Sequence, residues 1–279
     1  MLADAIAAEN LRLTRNRATF FWGFLFVPLL ALVAEIIGRL FMHAELPAEL
    51  RVLPVDMADQ LVEAFGGAGG PMTVLLSLIG AAVLFAGDYR WETWRLLTPR
   101  ASRTSLFLAK AITFAGWTLV TVILVGVLDA MVAWIGGLMD GSRMTFEMQA
   151  GAFVRQLLAV TLVSWVQLLF AGGLAALAAT ATRSMIAAIM VPIGAFIGLF
   201  LLQNRYPVVE AADEGWKILL IPGHALDYGR VYLAGIETLP GQALAASVGL
   251  AAVAGMAIWL LIGFGGGLAI FLRQDLSKE

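Results

Sequence analysis

The sequence has no cysteine, which excludes disulfides and thiolate metal sites. Its two histidines, His43 and His224, fall in predicted loops, and no metal-ligand spacing joins them to carboxylates. Charge is scarce, with 14% of residues charged, where soluble domains have about 25%. A net charge of −2 gives no global basic field for nucleic acid. No G-x-x-x-x-G-K-[ST] loop is present, so the chain cannot cradle nucleotide phosphates itself. What fills the 279 residues is apolar, 61% of them hydrophobic. The fold class this implies is an all-α polytopic membrane protein.

Residues 1–17 carry Asp4, Glu9, Arg12, Arg15 and Arg17 ahead of the first long apolar run. A cleavable signal peptide has its apolar core within the first ~15–30 residues, so this start is not read as one. It reads as an interfacial helix, with Leu2, Ile6 and Leu13 on a narrow face and the three arginines at the headgroups. Six spans follow, at 18–42, 71–87, 106–139, 153–180, 185–202 and 243–272, because crossing the hydrocarbon core takes roughly 17–25 apolar residues. The third is over-long for one crossing, so it tilts, bends near Gly126 or protrudes. Pro192 should kink the fifth. The small residues from Ala171 to Ala179 and the cluster Gly263, Gly265, Gly266 and Gly267 allow close helix approach.

Two carboxylates lie inside spans. Glu35 shares a helix face with Arg39, four residues on, and Asp129 lies in the outer half of the third span. An intramembrane carboxylate is costly and functional by default, so both are possible pathway residues. The bland alternative is a snorkelling pair for Glu35 and contact with the outer interface for Asp129. Residues 43–70 form an acid-rich outer loop in which 55–65 can make a short surface helix. Residues 203–241 form a second outer segment, with a short re-entrant or interfacial piece from Trp216 to Pro222. Most of the 18 lysines and arginines fall on the side of the termini, although the outer loops are longer. Positive charge in short loops marks the cytoplasmic side, so both termini are expected there.

The densest basic segment runs from Asp88 to Lys110 and holds Arg90, Arg95, Arg100, Arg103 and Lys110. Tyr89 to Thr98 has no glycine or proline, and Pro99 stops it. On a helix, Trp91, Trp94 and Leu97 share one arc, while Glu92 and Arg95 can pair on another. Tryptophan favours the membrane–water interface. Ser102 can cap the helix that follows. Residues 88–105 are therefore either a cytoplasmic platform for a soluble partner or a simple positive-inside anchor.

The run Trp91-Glu-Thr-Trp-Arg-Leu-Leu-Thr-Pro-Arg-Ala-Ser-Arg103, followed by Ala109-Lys110, resembles the signature region of ABC-2-type transporter permeases. Asp88 stands for the family's acid. Thr93, Leu96, Leu97, Ser102, Arg103 and Lys110 match, and Glu92 replaces the usual glycine. The closing Phe271-Leu-Arg-Gln-Asp-Leu276 is similar to the family's aromatic–basic–Asp-Leu ending. The resemblance implies a permease subunit that forms the translocation pathway of an exporter in a bacterial cytoplasmic (inner) membrane. It implies a separate cytoplasmic ABC ATPase carrying ATP and Mg, no cofactor in this chain, and a second permease copy or homologue. Arg90, Glu92, Thr93, Arg95, Arg100, Ser102 and Arg103 would meet the ATPase, with Trp91 and Trp94 as interfacial anchors in the bilayer. The alternative is a non-transporting membrane anchor or sensor subunit of such a complex. An intramembrane enzyme is disfavoured, since the spans offer Glu35 and Asp129 but no catalytic pair.

Overall fold

The computed structural model describes residues 2–45, 54–90, 102–139, 141–208, 213–239 and 242–274, with the backbone alone at 39, 42–45, 237–239 and 242–243. The expected partner contacts Glu92, Thr93, Arg95 and Arg100, and the anchors Trp91 and Trp94, lie outside the described residues. So does the tail after Gln274.

The architecture is all-α, with six helices long and apolar enough to cross a membrane. Helix α1 (Leu2–Arg15) precedes the first span. That span is α2 (Arg17–Phe20), a π-helical turn (Phe21–Leu25) and α3 (Phe26–Glu45). Next come α4 (Met57–Gly67), α5 (Pro71–Arg90), α6 (Arg103–Met139) and α7 (Ala150–Thr182). Helix α8 (Met185–Arg205) leads to two shorter helices, α9 (Gly215–Leu220) and α10 (Pro222–Ala234). The last span is α11 (Ala246–Leu260), a second π turn (Leu261–Gly265) and α12 (Gly266–Arg273). Two-residue strands at Val55–Asp56 and Met144–Thr145 pair in parallel, and Glu237–Leu239 pairs antiparallel with Gln242–Ala243.

Helices suit this sequence because a spanning segment must satisfy its backbone polar groups internally. The ends are marked by local chemistry. Asp56 Oδ1 accepts from the Ala58 and Asp59 amides at the start of α4. Ser102 Oγ accepts from the Ser105 amide at the start of α6, the capping expected of it. Ser184 Oγ does the same for α8 through Ala187. Pro71 and Pro222 occupy first-turn positions, where the missing N–H has no cost.

Helices α5 and α7 form the centre. In their most apolar windows 67% and 61% of residues are buried, against 22% in the first span and 11% in α8. Small residues bring the centre together. A Cβ on Gly263 would stand 2.7 Å from the Gly173 backbone, so the last span and α7 touch main chain to main chain. That contact lies at the second π turn.

Several expectations change. The connection between the second and third spans is shorter than 88–105, because α5 continues through Arg90 and α6 begins at Arg103. The third span runs through Gly126 without a break in its helix. Helix α6 is α-helical over all 37 residues, about 55 Å, and Gly126 instead makes room for the Phe65 ring. The helix in the 43–70 loop is not a surface element. Ala58 and Phe65 of α4 are buried, and Ser164 Oγ donates to the Phe65 carbonyl at 2.8 Å. Ser164 lies about 21 Å along α7 from its start, so α4 packs well inside the bundle. The 216–222 piece becomes two helices packed on α7 and α11, with Ile218 and Ala225 fully buried. His224 is likewise helical and buried, donating from Nε2 to the Tyr206 carbonyl at 2.9 Å.

Candidate functional site

One end of the bundle gathers both described chain ends and both helix ends that flank residues 91–101. Its core is a ring of four charges. Lys110 Nζ lies 2.5 Å from Asp88 Oδ2 and 3.1 Å from Glu9 Oε1. Arg12 lies 2.5 Å from Asp88 Oδ1 and 2.9 Å from Glu9 Oε2. Each carboxylate therefore divides its two oxygens between two cations. Lys110 also donates to the Leu84 carbonyl at 2.8 Å.

Glu9, Asp88 and Lys110 are buried, at 5%, 2% and 1% exposure. Buried charges persist when paired, and in the ring each of these three faces a charge of opposite sign. Arg12 closes it from the exposed side. Burial alone would lower the Arg12 pKa, but Asp88, and then Glu9, hold it above the ordinary value.

This arrangement revises two expectations. Lys110 is not an accessible cation of the basic segment. It lies seven residues into α6, about 10 Å from the helix start. Arg12 is not simply at the headgroups, because it seals the ring against α5. The inward face of α1 centres on Glu9 and Leu13. Beside the ring, the Trp117 indole donates to Asn10 Oδ1 at 2.8 Å.

A second polar knot lies beside the ring, centred on Gln274. Tyr89 donates its hydroxyl to Gln274 Oε1 at 2.8 Å. Gln274 Nε2 donates to the Thr180 carbonyl. Arg103 donates to the Gln274 and Leu272 carbonyls at 2.5 and 3.2 Å. One glutamine thus clasps the ends of α5, α7 and α12, while Arg103 ties the start of α6 to the same point. Ser102 and Arg90 are exposed at this end.

The possible pathway residues lie elsewhere. Asp129 is about 28 Å along α6 from Lys110. Glu35 of α3 lies within electrostatic range of Asp129. Asp129 Oδ1 is buried and accepts no hydrogen bond among the described residues. Arg39, four residues beyond Glu35, is described by its backbone alone.

At that far end, Arg155 of α7 donates to the Leu233 and Tyr232 carbonyls at 2.9 and 3.2 Å, capping α10 where Gly235 turns left-handed. A cleft of about 440 Å³ opens between α8 and α10, lined by Gln203, His224, Asp227 and Tyr228 among others. Among the described residues no cluster of three or more His, Asp or Glu could hold a metal ion.

Sequence reasoning missed the ring. A signal was present: Lys110 lies inside an apolar helix with no acid within four residues on either side, and a buried lysine demands a distant carboxylate. Compared with known proteins, the chain matches no family model, no curated protein and no solved structure.

Proposed function

We propose that this chain is the permease subunit of an ATP-binding-cassette transporter of the ABC-2 type, an exporter driven by a separate cytoplasmic ATPase. The observation that carries the reading is the convergence at one end of the bundle. Residues 91–101 join Arg90, at the end of α5, to Ser102, the cap of α6. Those two helix ends are fastened to nearly everything around them. Asp88 reaches α1 and α6 through the charge ring. Tyr89 reaches α12 through Gln274, which in turn reaches α7.

A partner pressing on 91–101 would act on the most buried helix of the bundle at a point where four neighbours are tied to it. Packed helices have discrete alternative packings rather than a continuum, so such a push favours a rigid-body change. Without a nucleotide loop of its own, the chain takes its energy from another polypeptide. On this reading Glu92 and Arg95 meet the ATPase, and Trp91 and Trp94 anchor the segment in the inner leaflet.

The test is co-reconstitution with a candidate ABC ATPase in liposomes. The pair is expected to co-purify, and the permease is expected to raise ATP turnover several-fold. Reversing charge with Glu92→Lys and Arg95→Glu is expected to weaken ATPase binding at least tenfold while the bundle keeps its helicity and melting point. Undiminished binding by that double variant removes these residues from the contact. Absence of any ATPase-dependent movement of solute or lipid across the liposome membrane rejects the transporter reading.

A further inference from the structure

We propose that α1 is a detachable arm, latched to the bundle by charge balance in the ring Glu9–Lys110–Asp88–Arg12. The arm contributes one charge of each sign, Glu9 and Arg12, and the bundle contributes Asp88 and Lys110. Docked, the four charges alternate and sum to zero. Removing one leaves a buried excess charge that the arm can no longer neutralise.

Three observations favour a latch over ordinary core packing. First, the residue at the middle of the inward face of α1 is a carboxylate, 5% exposed, and Leu13 is the one large apolar side chain of the helix that is buried. Apolar burial therefore contributes little to holding it. Second, the helix ends at a joint. Asn16 departs from helical geometry at φ −80°, ψ 78°, and its side chain caps the following helix through the Thr19 amide. The arm can swing there without unwinding the first span. Third, the bundle side is preformed. Lys110 keeps Leu84 O and Asp88 as partners within the bundle, so α5 and α6 retain a paired site when the arm leaves.

The latch also sets what the arm controls. Asp88 lies two residues before the end of α5, so a displacement that separates Asp88 from Lys110 breaks the contacts of α1 at the same moment. The proposal does not depend on transport. It concerns a two-position helix whose equilibrium is set by four charges.

The absence of cysteine allows a clean distance measurement. Spin labels at Ala8→Cys and Ile112→Cys, both exposed positions, report the separation of α1 and α6 by pulsed electron resonance in nanodiscs. The otherwise unaltered protein is expected to give one narrow distance. Glu9→Gln leaves one carboxylate against two cations. It is expected to shift docking by roughly a few hundred- to a few thousandfold, the scale of breaking a buried pair, and to give a longer, broad distribution. Lys110→Met is expected to do the same.

The decisive variant removes both, as Glu9→Gln with Lys110→Met. Asp88 and Arg12 then remain as a balanced pair, and the narrow distance is expected to return. A double variant as broad as either single change overturns the charge-balance rule. A narrow distance in Glu9→Gln overturns the latch itself. Glu9 lies on the arm, so that variant leaves the span contacts intact and remains informative if Lys110→Met fails to fold.

Discussion

Gly126 carries the ring of Phe65 against it, and a Cβ there would fall 2.4 Å from the nearest ring carbon. Gly126→Ala should therefore displace α4 and cost about 1–3 kcal/mol, the scale of overpacking a filled core. Combining it with Phe65→Leu should recover part of that loss, because the smaller side chain vacates the contested space. Thermal unfolding of the two single variants and the double checks the coupling, and simple additivity would show that the two sites are independent. Asp56 offers a second test at this scale. The Glu147 amide, and then those of Asp59 and Ala58, hold its carboxylate below the usual range. A depressed carboxylate contributes stability in full above its unfolded pKa of roughly 3.9, and loses it as pH falls through the lower folded value. The melting point of the parent protein should exceed that of Asp56→Asn at neutral pH, and the gap should close on acidification below about pH 4. A gap that is constant with pH would remove the charge from the explanation.

At the scale of elements, Gln274 stands where α5, α7 and α12 end together. Its side chain joins Tyr89 to Thr180. A net hydrogen bond contributes roughly 0.5–1.5 kcal/mol, so Gln274→Ala should cost about 1–3 kcal/mol and Tyr89→Phe less. Hydrogen exchange should show the loss at the last turn of α12 and the last turn of α5, with α8 unchanged. Unaltered protection at both ends would mean that apolar packing alone holds them. The six spans were legible because each is a predominantly apolar run of sufficient length. The Ser102 cap and the close approach through Gly173 and Gly263 were legible because small or capping residues leave local marks. The ring and the clasp were not, because Glu9, Asp88 and Lys110, or Tyr89, Thr180 and Gln274, are far apart in sequence, and all but Lys110 resemble ordinary flanking polar residues. Helix α4 was placed on the surface for a similar reason. Its acids Asp59 and Glu63 give it a polar face, while Ala58 and Phe65 are its only two buried residues. Residues 91–101, which carry much of the resemblance, lie outside the described residues.

For the whole molecule, the charge ring and the Gln274 clasp put the beginning and the end of the described chain at one face of the bundle, as an even number of crossings requires. Arg90, Arg103 and Arg183 belong to that same face, which joins geometry to the rule that short, cation-rich loops stay on the cytoplasmic side. The opposite face bears Asp56, Glu147, Glu214 and Asp227, among which Lys217 pairs directly with Glu214. A reporter that functions only in the cytoplasm should therefore be active when fused after Glu279 and when fused ahead of Met1. A single cysteine at Phe146, an exposed position of the far face, should react with a membrane-impermeant maleimide in intact cells, and one at Ser102 only after lysis. The chain has no native cysteine to confuse the labelling. The reverse pattern would place residues 91–101 away from any ATP-consuming partner. The proposed function would then fail, while the latch on α1, which depends only on contacts within the bundle, would stand.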